Sequence, residues 1–491
     1  MRGCFCNSME TLAAILAGTV YGLIIGIIPS AGATTGLVAL FGFIGWFMSF
    51  DPYLGVIFVM AVVAASTTGD SFSGVLLGIP GANSAGATMV DGFPLALQGK
   101  ATYALTAAVV TSTANGLLWG TLTFALLPWY SQLIMIFGIP ELWAFVFLAL
   151  TTVGFVSSRY WLRSLVAIVI GCFVGLVGMD PNTAADRFTF GWDYLGDGVQ
   201  LMPFVAGLFA VPEIIDGLVK RRQTAQISRE GQRGQTMQGM QAVWRNRWDG
   251  LRGGVIGAFI GLLPGLGGAM SDWMAYGATT AANKNETVPF GKGNIKGVIG
   301  PEGSNNAQKA TSMIPTVLFG IPGASFAAIV MGLFMYLDFE LGTPDLAQDQ
   351  QFFDSMFIGF MSATVLVCAL CLMFTRHIAK ITYLPNWIYT PVLLAFVVWS
   401  CVQYTGGWED YAVFAACSAL GVFAKYAKFS RPSMLIGFIL AERIEALSLQ
   451  MSNLYTLDTL ISRPIFLTLI ACALAMLIWG VFFNRSKLDY T

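Results

Sequence analysis

The chain has 491 residues, of which 56% are hydrophobic and 11% are charged, with a mean hydropathy of +0.69 and a formal net charge of −1. Soluble domains usually carry about 25% charged residues, so this composition excludes an ordinary water-soluble protein. The near-zero net charge provides no basic surface for nucleic acid. The sequence therefore predicts an all-α polytopic membrane protein.

A membrane-spanning helix needs about 20 mostly apolar residues. Candidate spans in the first half of the chain are 11–28, 34–50, 53–68, 102–127, 141–157, 162–179 and 199–219. Candidate spans in the second half are 251–270, 326–339, 352–375, 387–403, 408–424, 432–448 and 464–483. Some of these are too short or too interrupted to cross alone. We therefore expect about 12 transmembrane helices together with two re-entrant segments.

The most hydrophilic stretch lies between the two series of spans. Residues 1–10 are interpreted as an N-terminal extension, 11–219 as membrane repeat 1, 220–250 as a basic linker, 251–448 as membrane repeat 2, and 449–491 as a C-terminal loop with a final transmembrane helix. The excess of lysine and arginine in the linker favours the cytoplasmic side. A nucleic-acid role for this basic run is weak, because it is a short loop in a membrane protein.

Two motifs rich in glycine and proline occur in both halves, in the same order. The first, Gly-x3-Gly-x2-Pro-x2-Gly, lies at 22–32 and again at 257–267. The second, Gly-Ile-Pro-Gly-Ala, lies at 78–82 and again at 320–324. The duplication predicts two pseudo-symmetric repeats, which we expect to be inverted, each with a re-entrant or broken-helix hairpin.

Such motifs have a physical consequence in a membrane. Proline removes a backbone donor, and glycine costs about 1 kcal/mol against alanine in a helix, so the stretch unwinds. Unwound backbone is tolerated in lipid only where it is buried in protein or lines a watery cavity. Its free N–H groups suit a carboxylate, and its free carbonyl groups suit Na⁺. Glycine and proline can also serve only as kinks, but duplication with polar flanks favours a binding site that contains both pairs of motifs.

The candidate residues follow from these motifs and their flanks. The predicted substrate-binding residues are Pro29, Ser30, Gly32, Pro80, Gly81, Asn83, Ser84, Pro264, Gly265, Gly267, Asn305, Asn306, Pro322, Gly323 and Ser325. The predicted coupling-ion residues are Ser66, Thr67, Asp70 and Asp272. Asp70 and Asp272 either bind a cation or proton inside the membrane or lie at its edge. Lys309 either attracts an anionic substrate or forms a salt bridge with Glu302.

Several longer motifs belong together. They are Gly-Ile-Ile-Pro at 26–29, Gly-Leu-Leu-Pro-Gly at 261–265, Gly-Val-Leu-Leu-Gly-Ile-Pro-Gly at 74–81, Asp-Gly-Phe-Pro-Leu-Ala-Leu-Gln-Gly-Lys at 91–100, Gly-Met-Asp-Pro at 178–181, Arg-Phe-Thr-Phe-Gly at 187–191, and Pro301-Glu302 with Asn305-Asn306. From about Met9 onward the chain resembles the large membrane subunit of tripartite tricarboxylate transporters (the TctA family). It departs from that pattern at Ser30, where the family more often has Pro-Gly, and at Asp70, where small residues are usual.

The resemblance implies a multi-pass permease subunit in the bacterial inner (plasma) membrane. Such a subunit imports a carboxylate, a tricarboxylate or related organic anion, and uses Na⁺ or H⁺ as coupling ion, with no other cofactor. The implied partners are a small four-helix membrane subunit, a periplasmic solute-binding protein, the carboxylate substrate and the lipid bilayer, with no nucleic acid. An intramembrane enzyme or a passive anion channel are the alternatives. The single histidine argues against a two-histidine metal site, and we expect no enzyme and no metal.

Overall fold

The computed structural model describes residues 8–28, 32–49, 51–78, 86–134, 137–156, 161–180, 185–212, 214–215, 232–264, 267–381, 391, 394–395, 397–399, 401 and 407–483. This part of the chain is predominantly helical, as predicted. The helices of the first half are α1 (Ser8–Ile27), α2 (Gly32–Ile44), α3 (Pro52–Leu77), α4 (Gly86–Leu97), α5 (Ala101–Ile134), α6 (Ile139–Val156), α7 (Trp161–Gly175) and α8 (Leu201–Val205). Two short antiparallel strands, β1 (Gly178–Met179) and β2 (Asp186–Arg187), lie between α7 and α8 with Gly178 opposite Arg187.

The second half contains the remaining helices. They are α9 (Gln232–Arg245), α10 (Arg247–Leu262), α11 (Gly267–Ala282), α12 (Lys296–Thr311), α13 (Met313–Phe319), α14 (Ser325–Tyr336), α15 (Pro344–Ala347), α16 (Gln350–Ile381), α17 (Trp408–Tyr426), α18 (Arg431–Leu454), α19 (Leu457–Ile461) and α20 (Pro464–Phe483). The largest hydrophobic core joins both halves, with α2 packed against α14, and α3 packed against α14 and α16.

Glycine stripes let two pairs of helices approach closely. Gly18, Gly22 and Gly26 of α1 lie against Phe58, Val62 and Ser66 of α3; Gly253, Gly257 and Gly261 of α10 lie against Gly300, Ser304 and Gln308 of α12. A Cβ atom at Gly22 would lie 2.7 Å from the carbonyl oxygen of Val62, so only glycine fits there without a shift. Because the residue numbers rise together, the two helices of each pair are parallel.

The two pairs occupy equivalent places in the sequence. The glycines of α10 lie 235 residues after those of α1, and their contacts on α12 lie 242 residues after those on α3. The same 242-residue step relates the ends of α3 and α13. Each ends at a glycine with a left-handed backbone, Gly78 and Gly320, and each of these has φ of 61°. That conformation favours glycine and stops a helix sharply.

α3 and α12 start at opposite ends of the helix bundle. Pro52 follows the N-cap Asp51, and the hydroxyl of Tyr53 donates to Asp349 at 2.9 Å, so α3 starts beside the acidic segment 338–354. We call this the acidic end. α12 starts at Lys296, close to the end of α4, where Gln98 donates to the carbonyl of Lys292 at 3.0 Å. We call this the linker end.

Several helices differ in length from the predicted spans. α5 and α16 are longer than predicted, because their polar ends continue the helix beyond the apolar windows 102–127 and 352–375. The second part of the predicted linker is also helical. In it, Gln235 of α9 donates to the carbonyl of Gly99 at 3.0 Å and so attaches α9 to the start of α5.

Among the described residues, three helices are long and apolar enough to cross a membrane. They are Met9–Ile27, Pro52–Leu77 and Gln350–Thr375. Shorter apolar helices are Thr34–Phe47, Ile139–Thr152, Leu162–Gly175, Leu201–Ala210, Ser325–Tyr336 and Pro464–Ile478. The chain is therefore a helical protein with apolar helices, and the count of about 12 crossings in two repeats stays a prediction.

Candidate functional site

The second Gly-Ile-Pro-Gly motif forms a break between two helices. α13 ends at Phe319, Pro322 and Gly323 are buried, and α14 begins at Ser325. The backbone N–H of Gly323 donates to the hydroxyl of Thr316 at 3.2 Å, which fixes the turn. Ala324 caps α14 with an extended backbone and no side-chain hydrogen bond, so the first turn of the helix keeps free N–H groups.

A buried lysine lies at the start of α14. Lys309 extends from α12, is only 5% exposed, and places its ammonium group 4.2 Å from the centroid of the Phe326 ring. A cation above an aromatic face is attracted by the ring quadrupole. The contact therefore holds a positive charge beside the free N–H groups of the helix start, where both favour an anion.

The first buried acid of this region is Asp272 on α11. It is 1% exposed, and its Oδ1 accepts a hydrogen bond from the hydroxyl of Ser304 at 2.7 Å. Ser304 in turn contacts the hydroxyl of Ser271. Asp272 is therefore an interior residue of the protein and is not at the edge of the bundle.

The second buried acid is Glu302 on α12, and its donors come from both halves. Its Oε1 accepts a hydrogen bond from the hydroxyl of Ser71 on α3 at 2.7 Å. The side chains of Thr88 and Asn305 lie beside the same carboxyl group. Ser71 and Glu302 thus mark the point at which α3 and α12 meet.

Asp70 on α3 differs from both. It is completely buried, and neither of its carboxylate oxygens has a hydrogen-bond partner among the described residues. It interacts electrostatically with Lys309 and Glu302. Lys309 has Asp70 and Asp272 as its electrostatic partners, and the described residues contain no Glu302–Lys309 ion pair. The salt-bridge alternative for Lys309 is therefore not what the structure shows.

Three amide side chains on α12 add polar atoms to this region. Asn305, Asn306 and Gln308 are buried, and each has a side-chain oxygen without a hydrogen-bond partner in the described part of the chain. Asn305 and Asn306 are predicted site residues, whereas sequence reasoning missed Gln308. The internal repeat contained a signal for it, because Gln308 lies 242 residues after the predicted Ser66.

Other predicted residues lie elsewhere. The hydroxyls of Ser66 and Thr67 both donate to the carbonyl of Val63, at 3.2 and 2.7 Å, and so satisfy their own helix. Pro264 is buried between α10 and α11, and Gly267 begins α11 with φ of 71°. Gly32 is the first residue of α2. Pro29, Ser30, Pro80, Gly81, Asn83, Ser84 and Gly265 lie outside the described residues.

The buried groups together limit the chemistry of the site. In the described part of the chain, the buried acids Asp70, Asp272 and Glu302 share their region with one buried lysine, Lys309, so full ionisation would give a net charge of −2 from three carboxylates and one ammonium group. Unpaired charge is expensive inside a membrane protein. Such a group is suited to taking up a cation or proton, and the lysine with the α14 start is suited to binding an anion.

Comparison with known proteins gives three results. An uncharacterized 52.8 kDa protein in the TAR-I ttuC' 3' region of Agrobacterium vitis is 27% identical over 489 residues, covering 96% of this chain and 93% of that protein. A second uncharacterized protein, in the TAR-II ttuC' 3' region of Agrobacterium vitis, is 26% identical over 189 residues, covering 38% of this chain and 78% of that protein. No solved structure matches.

The family comparison covers most of the chain. The family described as "Tripartite tricarboxylate transporter TctA family" matches residues 12–436, which include most of α1, all of α2 to α17 and the buried polar residues described above. This agrees with the resemblance that the glycine-proline motifs indicated. The chain therefore belongs to the tripartite tricarboxylate transporter TctA family.

Proposed function

We propose that this chain is the permease subunit of a binding-protein-dependent secondary transporter that imports an organic carboxylate, a tricarboxylate or a related anion. The observation that supports this most is the position of Lys309. Its ammonium lies at the start of α14, directly after a break formed by Gly-Ile-Pro-Gly. A lysine and free helix N–H groups together form a favourable site for a carboxylate.

The packing of the helices supports a transport mechanism. α1 packs on α3 through the same glycine spacing by which α10 packs on α12. α3 starts at the acidic end of the bundle, and α12 starts at the linker end. We infer two inverted repeats, with about 12 crossings in total, whose broken helices bind substrate between them. Rocking of one repeat against the other would then expose the site to each side of the membrane in turn.

The remaining parts of the proposal come from family membership. A tripartite transporter has two further components, and we propose that these are a small four-helix membrane subunit and a periplasmic solute-binding protein. We also propose an inner-membrane location, with Na⁺ or H⁺ as the coupling ion. Asp70, Asp272 and Glu302 supply the buried negative charge on which such coupling depends.

Uptake measurements test the proposed function through Lys309. The wild-type chain and its partner subunits are reconstituted in proteoliposomes, and uptake of radiolabelled citrate is followed under an inward Na⁺ or H⁺ gradient. Lys309→Met keeps the length of the side chain and removes its charge, so uptake should fall about 10- to 100-fold, as expected for loss of one charged hydrogen bond. Lys309→Arg should retain part of the activity.

A matched control and two opposing outcomes complete the test. Lys292→Met removes an exposed lysine at the linker end and should leave uptake unchanged. Full citrate uptake by Lys309→Met would contradict the role of the lysine. Passive flux through the wild type, without saturation or dependence on an ion gradient, would contradict a secondary transporter and favour a channel.

A further inference from the structure

We propose that Asp70 is the resting counter-ion of Lys309 and that it takes up a proton when a substrate carboxylate binds to the lysine, so that the coupling ion is H⁺. This inference rests on the proposed function, because it concerns the same lysine. It adds the identity of the coupling ion and the residue that carries it, and it selects one of three buried acids.

Asp70 is selected by its lack of hydrogen-bond donors. The carboxylate of Asp272 accepts from Ser304, and the carboxylate of Glu302 accepts from Ser71, both at 2.7 Å. Hydroxyl donors of this kind stabilise the charged form of a carboxylate. Asp70 has no such donor at either oxygen, so the charge of Lys309 is its main compensation. Asp70 is therefore the acid whose ionisation depends most on its neighbour.

Lys309 is free to change its partner. Among the residues that the structure describes, its ammonium makes no ion pair within 4.0 Å, and it is held instead by the ring of Phe326. Asp70 therefore acts on the lysine across a gap and does not form a direct bridge with it. A carboxylate that binds the ammonium at the start of α14 breaks no direct ion pair, and it replaces the long-range interaction with Asp70 by a direct contact.

The charges balance when a proton accompanies the substrate. Before binding, the carboxylate of Asp70 and the ammonium of Lys309 sum to zero. After binding, the substrate carboxylate and the ammonium sum to zero, and protonated Asp70 is neutral. At Lys309, one substrate carboxylate and one proton enter together, so the summed charge of Asp70, Lys309 and the carboxylate bound to the lysine stays at zero. The other carboxylates of the substrate lie outside this balance. Without the proton, the site would hold one more negative charge in a buried environment, which is strongly unfavourable.

The surrounding ionisable groups favour a proton over a metal cation. The groups that act on Asp70 are Lys309 and Glu302 on α12 and Asp272 on α11. The helices α1, α2, α4, α5, α14 and α16 also pack on α3 and contribute no ionisable group to this set. The ammonium of Lys309 repels Na⁺, whereas a proton on Asp70 removes the negative charge without bringing a second cation beside the lysine.

Calorimetric titration of the purified full-length chain with citrate tests this proposal. Titration in two buffers with different ionisation enthalpies gives the number of protons taken up per citrate bound. The wild type should take up about one proton, and its citrate affinity should fall about tenfold per pH unit as the pH rises. Asp70→Asn should bind citrate with no linked proton and no pH dependence. Replacing Na⁺ by choline should change neither result.

Two further variants keep the test decisive. Asp70→Ser introduces the residue type found 242 positions later, at Ser312, and should behave as Asp70→Asn if the asparagine variant does not fold. Asp345→Asn removes an exposed carboxylate and should behave as the wild type. Citrate binding by the wild type without proton uptake, proton uptake that persists in both Asp70 variants, loss of citrate binding in a folded Asp70 variant, or a requirement for Na⁺ would each overturn the inference. If the wild type does not bind citrate, the same titration is made with dicarboxylates and aromatic carboxylates. Failure to bind any of them would contradict the proposed function and with it this inference.

Discussion

Asp91 and Asp70 are both completely buried, on the consecutive helices α4 and α3, but their carboxylates have opposite surroundings. One oxygen of Asp91 accepts three backbone hydrogen bonds, from Gly291 at 2.8 Å, Gly293 at 2.9 Å and Asn294 at 2.8 Å. Its second oxygen accepts from the hydroxyl of Tyr276 at 3.0 Å. The loop before α12 thus folds around a single carboxylate of the first half.

Asparagine in place of Asp91 should destabilise the protein. In Asp91→Asn one oxygen and the negative charge are lost, so the three backbone N–H groups and the tyrosine hydroxyl cannot all be satisfied. The free energy of unfolding should fall by about 3 kcal/mol, which lowers the midpoint of thermal unfolding in detergent. Asp354→Asn is the matched control, since Asp354 is exposed and accepts one hydrogen bond from Gln350. An unchanged unfolding midpoint in Asp91→Asn would show that the loop is held by other contacts.

At the scale of helices, two glycine stripes determine how closely the broken segments can approach. Each stripe has one glycine per turn, and each brings the helix of a first motif against the helix that leads to a second motif. The stripes determine the position along α3 beside which α1 ends, and the position along α12 beside which α10 ends. They therefore position both pairs of motifs relative to each other, although none of these glycines touches the buried acids directly.

Larger residues in a stripe should be poorly tolerated. In Gly22→Val or Gly257→Val the new side chain would overlap the backbone of the facing helix, at Val62 or Ser304 respectively. Overpacking of this kind costs about 1–3 kcal/mol of stability, and it should lower the thermal unfolding midpoint and the yield of monodisperse protein. Gly277→Ala is the control, because no atom lies within 4 Å of an added Cβ at Gly277. Equal stability of all three variants would contradict the packing role.

Sequence reasoning identified the second break and, as site residues, two of the three buried acids near Lys309, Asp70 and Asp272. Proline and glycine act on their own backbone, so the interruption at Pro322 is visible from local composition. The partners of Glu302 were not visible, since Ser71 lies 231 residues away and is brought there only by the packing of α3 on α12. The same reason applies to the start of α5, which was predicted to within one residue, whereas its hydrogen bonds with Gln235 of α9, more than 130 residues away, were not visible.

At the scale of the whole molecule, the two ends of the bundle differ in their content of lysine and arginine. The linker end carries the basic residues Lys100, Arg245, Arg247, Arg252, Lys284, Lys292 and Lys296. The segment 338–354 at the acidic end contains five acids and neither lysine nor arginine. Because cytoplasmic loops are rich in lysine and arginine, we propose that the linker end faces the cytoplasm.

Cysteine labelling in intact cells tests this orientation. Asp345→Cys should react with a membrane-impermeant maleimide added from outside, and Lys292→Cys should react only after the membrane is permeabilised. Both positions are exposed, so accessibility to the reagent depends on the side of the membrane. Labelling of the unmodified chain, which has an exposed thiol at Cys472, is subtracted as background. Reaction of both variants from outside would contradict opposite ends for α3 and α12.

The contact between Lys309 and Phe326 also has a consequence for the speed of turnover. An ammonium held by an aromatic face is stabilised by about 0.5–2 kcal/mol, whereas disrupting a buried ion pair costs about 3–5 kcal/mol. Since about 1.4 kcal/mol corresponds to a factor of ten in rate, releasing the lysine from the ring slows each cycle by about 30-fold at most. Release from an ion pair would slow it by up to several thousand-fold. The neutral ring of Phe326 therefore lets the ammonium of Lys309 exchange ligands quickly, and it keeps the lysine side chain in place between cycles.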